Sequence, residues 1–252
     1  MAENTTHTAL IGGVTGGIGL ALAKRLAASG WRIAGYATSQ ERLDSIRSDL
    51  PEAHLFTADA TDPGAIDGAF DRAAEALGPV TGYAHCVGSI LLKTAHQTRD
   101  EEWLDTLALN LTSAFYALRA GVTRMQKHKR GSMVFVSTGA ARAGLPAHEA
   151  IAAAKGGLEA LVRSAAASYA SRGVRFNCVA PGMVNTRMAE PLIGNEQGRK
   201  FSEAMHPLGR VGEPDEVASL MAWMLSDEAA WVSGETYSID GGLAHLRQRP
   251  KL

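Results

Sequence analysis

The stretch Thr8-Ala9-Leu10-Ile11-Gly12-Gly13-Val14-Thr15-Gly16-Gly17-Ile18-Gly19 decides how the rest of the chain is read. Thr8 to Ile11 is a short apolar run of strand type, and Gly17 to Ser29 has helical spacing that stops at Gly30. Between them, glycines let the backbone turn tightly and approach a bound group closely. The free N–H groups at the start of the helix favour negative charge, which suits a pyrophosphate. A glycine-rich turn that holds nothing is the competing reading. The strand before it and the helix after it favour a dinucleotide.

Outward from this turn the same alternation continues. Arg32–Tyr36, His54–Thr57, Gly82–Cys86, Met133–Ser137, Arg175–Val179 and Thr236–Ile239 read as further strands. Helices are expected at Glu41–Leu50, Pro63–Leu77, Asp100–Lys127, Glu149–Ser171 and Pro214–Leu225. Short apolar strands alternating with helices predict an α/β, Rossmann-type doubly wound fold, with about seven parallel strands covered on both faces. No linker-like composition and no repeat interrupts the pattern, so residues 1–252 are expected to form a single domain. The segment 183–208, with Gly194, Gly198 and mixed polarity, is expected to be a lid over a substrate pocket.

Composition narrows the function. The 252 residues are 46% hydrophobic and 20% charged, which is ordinary globular composition. A net charge of −1 offers no general attraction to nucleic acid or to an anionic membrane, so neither is expected as a partner. No apolar run approaches the roughly 20 residues of a membrane span. The opening MAENTTHTALIGG lacks the pattern of a secretory signal. Cys86 and Cys178 are far apart, with no metal-ligand spacing around them, and read as buried thiols in a reducing compartment. A cytoplasmic location and no metal are the resulting expectations.

The spacing Gly13-x₃-Gly17-x-Gly19 resembles the TGxxxGxG fingerprint of short-chain dehydrogenases/reductases, with Gly12 in place of the threonine. Further landmarks follow in family order. Asp59 follows the third strand, and His85-Cys86-Val87-Gly88 stands where NNAG is usual. Asn110 lies within LNLTSAF, Lys155 within AAAKGGLEAL, and Pro181-Gly182 with Thr186 within VAPGMVNT. The closing segment from Ser226 to Gly242 is similar to that of bacterial 3-oxoacyl-[acyl-carrier-protein] reductases. The resemblance implies a nicotinamide dinucleotide held by Gly13, Gly17, Ile18, Gly19, Thr38, Asp59, Ala60, Gly88, Lys155, Pro181, Gly182, Val184 and Thr186. Tyr36-Ala37-Thr38-Ser39 has no acid to bind a ribose 2′-OH, and small hydroxyls there suit a 2′-phosphate. NADP(H) is therefore favoured over NAD(H).

The resemblance also implies carbonyl reduction, in which a tyrosine protonates the developing alkoxide beside a lysine, a serine and an asparagine. Carried over by position, the lysine is Lys155, the asparagine Asn110 and the serine Thr138. The tyrosine position, four residues before Lys155, is Ile151, which has no proton to give. His148 precedes Ile151 by three residues and Lys155 by seven, so a helix already begun there would place all three on one stripe. His148 is thus the candidate substitute acid, and a solvated or helix-capping histidine is the competing reading. Three functions stay open. One is an oxidoreductase acting on a small-molecule carbonyl or acyl substrate of 3-oxoacyl type. Another is a catalytically silent subunit paired with an active homologue. The third is a dinucleotide-responsive regulator without turnover. For the first two, the family resemblance implies a homotetramer or hetero-oligomer.

Overall fold

The computed structural model describes residues 7–247. Seven strands form one parallel sheet in the order β3-β2-β1-β4-β5-β6-β7. They are β1 (Thr8–Gly12), β2 (Arg32–Ala37), β3 (His54–Thr57), β4 (Gly82–His85), β5 (Gly131–Val136), β6 (Val174–Pro181) and β7 (Thr236–Ile239). β1 pairs with β2 on one side and β4 on the other, with Gly12 opposite both Tyr36 and His85. The direction of winding reverses there, so a crevice opens beyond the carboxyl ends of β1 and β4.

Helices fill the intervals: α1 (Gly17–Ala28), α2 (Gln40–Ser45), α3 (Pro63–Leu77), α4 (Asp100–Leu107) and α5 (Ser113–Met125). They continue with α6 (Ala140–Ala143), α7 (Glu149–Tyr169), α8 (Glu190–Ile193), α9 (Glu196–Met205) and α10 (Pro214–Leu225). Both sheet faces are buried, as parallel pairing demands. Phe70 of α3, Ala117 of α5 and Leu158 of α7 join Tyr83 and Phe135 on one face. Leu22 of α1, Leu43 of α2 and Met221 of α10 cover Ile11, Val134 and Val179 on the other. Each such buried side chain contributes about 1.5–3 kcal/mol relative to exposure. No described helix is long and apolar enough to cross a membrane.

Most strands and helices fall where the pattern places them, and three expectations change. The helix foreseen from Asp100 to Lys127 is two helices joined by a π-helical turn over Ala108–Thr112, so its backbone widens at Asn110. The helix foreseen over Glu41–Leu50 stops at Ser45. The segment expected to be loose, 183–208, contains α8 and α9, and Asn195 caps α9 by accepting from the Gly198 N–H at 2.8 Å. α7 begins at Glu149, leaving His148 at the N-cap position with φ −115° and ψ 13°. His148 is therefore not part of a helical stripe with Ile151 and Lys155.

The short helix α6 was not anticipated, and an ion pair secures it. Glu159 of α7 is buried and accepts from the Arg142 Nε of α6 at 3.0 Å and from the Ser137 hydroxyl at 2.8 Å. This cluster fixes the loop that carries Thr138. Breaking a buried pair strands a charge, typically at 3–5 kcal/mol, less where one partner is partly wet. Arg142→Met should lower unfolding stability by about 3 kcal/mol in urea denaturation. The double variant Arg142→Met/Glu159→Leu should recover most of that loss, and failure to recover would show that the pair is not the source.

Candidate active site

The glycine turn is built for close approach. Gly13 has φ +75°, and a Cβ there would lie 2.8 Å from the Cys86 carbonyl oxygen. α1 starts with no side-chain cap and no acidic residue in its first turn. The N–H groups of its first turn are therefore free of side-chain competition. A Cβ on Gly17 would lie 2.8 Å from the Thr186 methyl, so Thr186 stands over the helix start. These features fit a pyrophosphate. Thr38 is exposed just beyond β2, and Ser39 caps α2 by accepting from the Arg42 N–H at 3.3 Å. Asp59 is exposed after β3, its carboxylate held by the Thr61 N–H and hydroxyl at 2.8 Å each, with Ala60 buried beside it.

Next to the helix start lies a cavity of about 620 Å³ whose wall includes Ile18, Gly88, Asn110, Thr138, His148, Ile151 and Lys155. Pro181, Gly182, Val184 and Thr186 complete the wall on the β6 side. Leu192, Phe201 and Met205 from α8 and α9 close it over, so the segment expected as a lid does face this space. The residues selected from sequence thus divide in two. Those around the nicotinamide end meet in one cavity. Gly13, Gly17 and Gly19 lie outside its wall at the start of α1, and Thr38, Asp59 and Ala60 lie further along the sheet edge at the ends of β2 and β3.

Inside the cavity the polar groups are fixed. Lys155 is 5% exposed, and its ammonium donates to the Val136 carbonyl at 2.8 Å. Burial pulls its pKa down from 10.5 to about 8. A Cβ on Gly88 would lie 2.8 Å from the Asn110 Oδ1 and 3.4 Å from the Lys155 Nζ, so only glycine fits there. Asn110, fully buried, accepts from the Ser89 N–H at 3.1 Å and donates to the Ser89 hydroxyl and the Thr106 carbonyl. The Thr138 Oγ1 accepts from the Ala140 N–H at 3.3 Å, which leaves its hydroxyl proton available. Ile151 is 5% exposed and presents only hydrocarbon.

His148 does not cap the helix that follows it. Its Nδ1 lies 2.7 Å from the Pro146 carbonyl, which can only accept, so Nδ1 carries the proton. In the neutral ring Nε2 is then the unprotonated nitrogen. The neighbouring Ala147 has φ +60°, a strained value for a residue with a Cβ.

Two contributors escaped the sequence reading. Ser89 is the partner of Asn110. His206, 3% exposed, accepts from the Met183 N–H at 3.0 Å through Nε2 and donates to the Ser202 carbonyl through Nδ1. It pins the end of α9 to the loop after Gly182. Only its place before Pro207 in an apolar segment distinguishes it in the sequence. His85 is fully buried and Cys86 lines the cavity.

The 3-oxoacyl-[acyl-carrier-protein] reductase FabG of Escherichia coli (strain K12) is 32% identical over 236 residues, spanning 93% of this chain and 96% of that protein. The inactive 2-(S)-hydroxypropyl-CoM dehydrogenase 2 of Xanthobacter autotrophicus (strain ATCC BAA-1158 / Py2) is 36% identical over 193 residues, or 75% of this chain and 84% of that one. Among solved structures, an actinorhodin polyketide ketoreductase with NADPH superposes with a TM-score of 0.92 at 27% identity, covering 98% of this chain and 100% of that chain. The family described as Enoyl-(Acyl carrier protein) reductase matches residues 13–244, and the chain belongs to it and so to the short-chain dehydrogenases/reductases.

Proposed function

We propose that this chain is an NADP(H)-dependent oxidoreductase that reduces the carbonyl of an apolar, 3-oxoacyl-like substrate, with His148 in the role of proton donor. One observation carries the reading. The His148 imidazole shares a cavity with Lys155, Thr138 and Asn110, and its Nδ1 is already committed to the Pro146 carbonyl. Proton transfer is left to Nε2, the arrangement in which one nitrogen orients the ring and the other does chemistry. Ile151, at the position of the family's tyrosine, leaves that task open.

When bound, the dinucleotide supplies a hydride to the carbonyl carbon. Gly13, Gly17, Ile18 and Gly19 with the start of α1 would hold the pyrophosphate, and Thr186 would close over it. Asp59 and Ala60 would flank the adenine, and Thr38 with Arg42 the 2′-phosphate. Thr138 donates a hydrogen bond from its hydroxyl to the substrate oxygen and so polarises the carbonyl. The Lys155 ammonium, charged below about pH 8, stabilises the alkoxide as it forms. Protonated His148 delivers the proton through Nε2, directly or through one water. Asn110 acts by fixing the Gly88-Ser89 turn, because its amide is spent on Ser89 and Thr106. The apolar lid favours a hydrocarbon-bearing substrate.

A second reading is favoured by Ile151 together with the "inactive" relative: a cofactor-binding subunit without turnover, assembled with an active homologue. Exposed Leu104 on α4 and Phe115 on α5 give either reading a face for a homotetramer or hetero-oligomer. The protein would act in the cytoplasm.

Two measurements separate these readings. NADPH oxidation with 3-oxoacyl thioesters should proceed in the native chain and slow as pH rises through about 8, because the Lys155 ammonium is lost. His148→Gln should lower kcat by about 10²–10⁴ while NADPH still binds. An inert native protein that gains turnover on Ile151→Tyr would establish the silent subunit instead. For the cofactor, Thr38→Asp should weaken NADPH about tenfold or more in calorimetry and leave NADH unchanged or tighter. An unchanged preference would place the 2′-phosphate elsewhere.

A further inference from the structure

Two departures from the family fingerprint, Gly12 for threonine and His85 for asparagine, meet in the structure. Gly12 and His85 are register partners on β1 and β4. A Cβ on Gly12 would lie 2.5 Å from the Tyr36 hydroxyl and 3.0 Å from that of Tyr83. The space of a threonine side chain is therefore filled by two phenols from the neighbouring strands. From there a buried row of polar groups crosses the sheet. The Tyr36 and Tyr83 hydroxyls are 2.9 Å apart, and the Tyr83 hydroxyl is 2.8 Å from the His85 Nδ1. The His85 Nε2 is 3.1 Å from the Ser113 Oγ, which is 2.6 Å from the Leu109 carbonyl.

The proton positions follow from the far end. A carbonyl only accepts, so the Ser113 hydroxyl donates to Leu109 and must receive from the His85 Nε2–H. In a neutral imidazole Nδ1 then accepts, so Tyr83 donates to it and accepts in turn from Tyr36. Burial holds the ring neutral, with its pKa lowered to about 3. All four bonds point one way, from the strand beside the glycine turn to the π-helical turn. Leu109 immediately precedes Asn110 within that turn.

We propose that His85 is a positioning residue: through Ser113 and the Leu109 carbonyl it holds the π-helical turn, and hence Asn110, in register with the glycine turn at Gly12. The inference rests on the reductase reading only for its effect on turnover. A π turn is held by only a few i→i+5 backbone bonds, and the Ser113 hydroxyl just after it adds a bond to the Leu109 carbonyl within it. The phenols and imidazole are enclosed by Phe70 and Phe135, with ring centroids 5.1 Å from Tyr83 and 5.9 Å from His85. A missing link there leaves a polar group with no alternative partner.

The test is nitrogen NMR on protein labelled at histidine and asparagine, with bound NADPH titrated by calorimetry. The expected result is a His85 ring protonated at Nε2 and bare at Nδ1 from pH 5 to 8. Ser113→Ala and Tyr83→Phe should move the Asn110 side-chain amide signals, and Ser113→Thr should restore them. In the same variants kcat should fall about tenfold, with KM and NADPH affinity within about twofold of native. A ring protonated at Nδ1, or Asn110 signals unmoved by Ser113→Ala in a folded protein, would overturn the proposal. Native protein without turnover but with the NMR pattern intact would remove the reductase reading and leave the positioning role standing.

Discussion

Everything functional in this molecule depends on the parallel pairing of β1 with β2 on one side and β4 on the other. Parallel strands end at the same edge, so Gly13, Thr38, Asp59 and Gly88, far apart in sequence, lie along one rim. Reversal of the winding between β1 and β4 opens that rim at Gly13 and Gly88. The cavity follows directly from it: its floor is strand ends, one wall is α7 with Ile151 and Lys155, and its cover is α8 and α9. The chemistry is set by what those ends carry, and the fold alone would serve many reactions.

The fold was legible because its signals are local. Pro63 after Asp62 marks the start of α3, where Asp62 accepts from the Gly64 N–H at 2.8 Å, and the strand runs are short and apolar. Glycine–helix–strand spacing placed the glycine turn between β1 and α1, where the structure has it. What was hidden depends on contacts distant in sequence. The π turn at Asn110 keeps the apolar spacing of an ordinary helix, so nothing in the pattern announces it. α6 exists through Arg142 and Glu159, seventeen residues apart. The start of α7 at Glu149 was legible, but Leu145-Pro146-Ala147 does not show that Ala147 turns through positive φ just before His148, which stays off the helical stripe at the N-cap.

The same distinction applies to the active-site residues. Lys155, Asn110 and Thr138 could be assigned by position, and all three line the cavity. Their roles could not. The Asn110 amide proves to be spent on Ser89 and Thr106, and the His148 ring is oriented by a backbone carbonyl two residues away. Substitutions that look like losses when read one at a time, Gly12 and His85 among them, are packed against one another through Tyr36 and Tyr83. Ile151 is different. It is an apolar residue that presents only hydrocarbon to the cavity.

The most direct test of this account is a crystal structure of the protein with NADPH. It should show the pyrophosphate on the first turn of α1, the 2′-phosphate beside Thr38 and Arg42, and the nicotinamide ribose against Lys155, with the His148 Nε2 within one water of the space in front of the nicotinamide. A dinucleotide bound away from the glycine turn, or a His148 ring turned out of the cavity once the cofactor is seated, would contradict it.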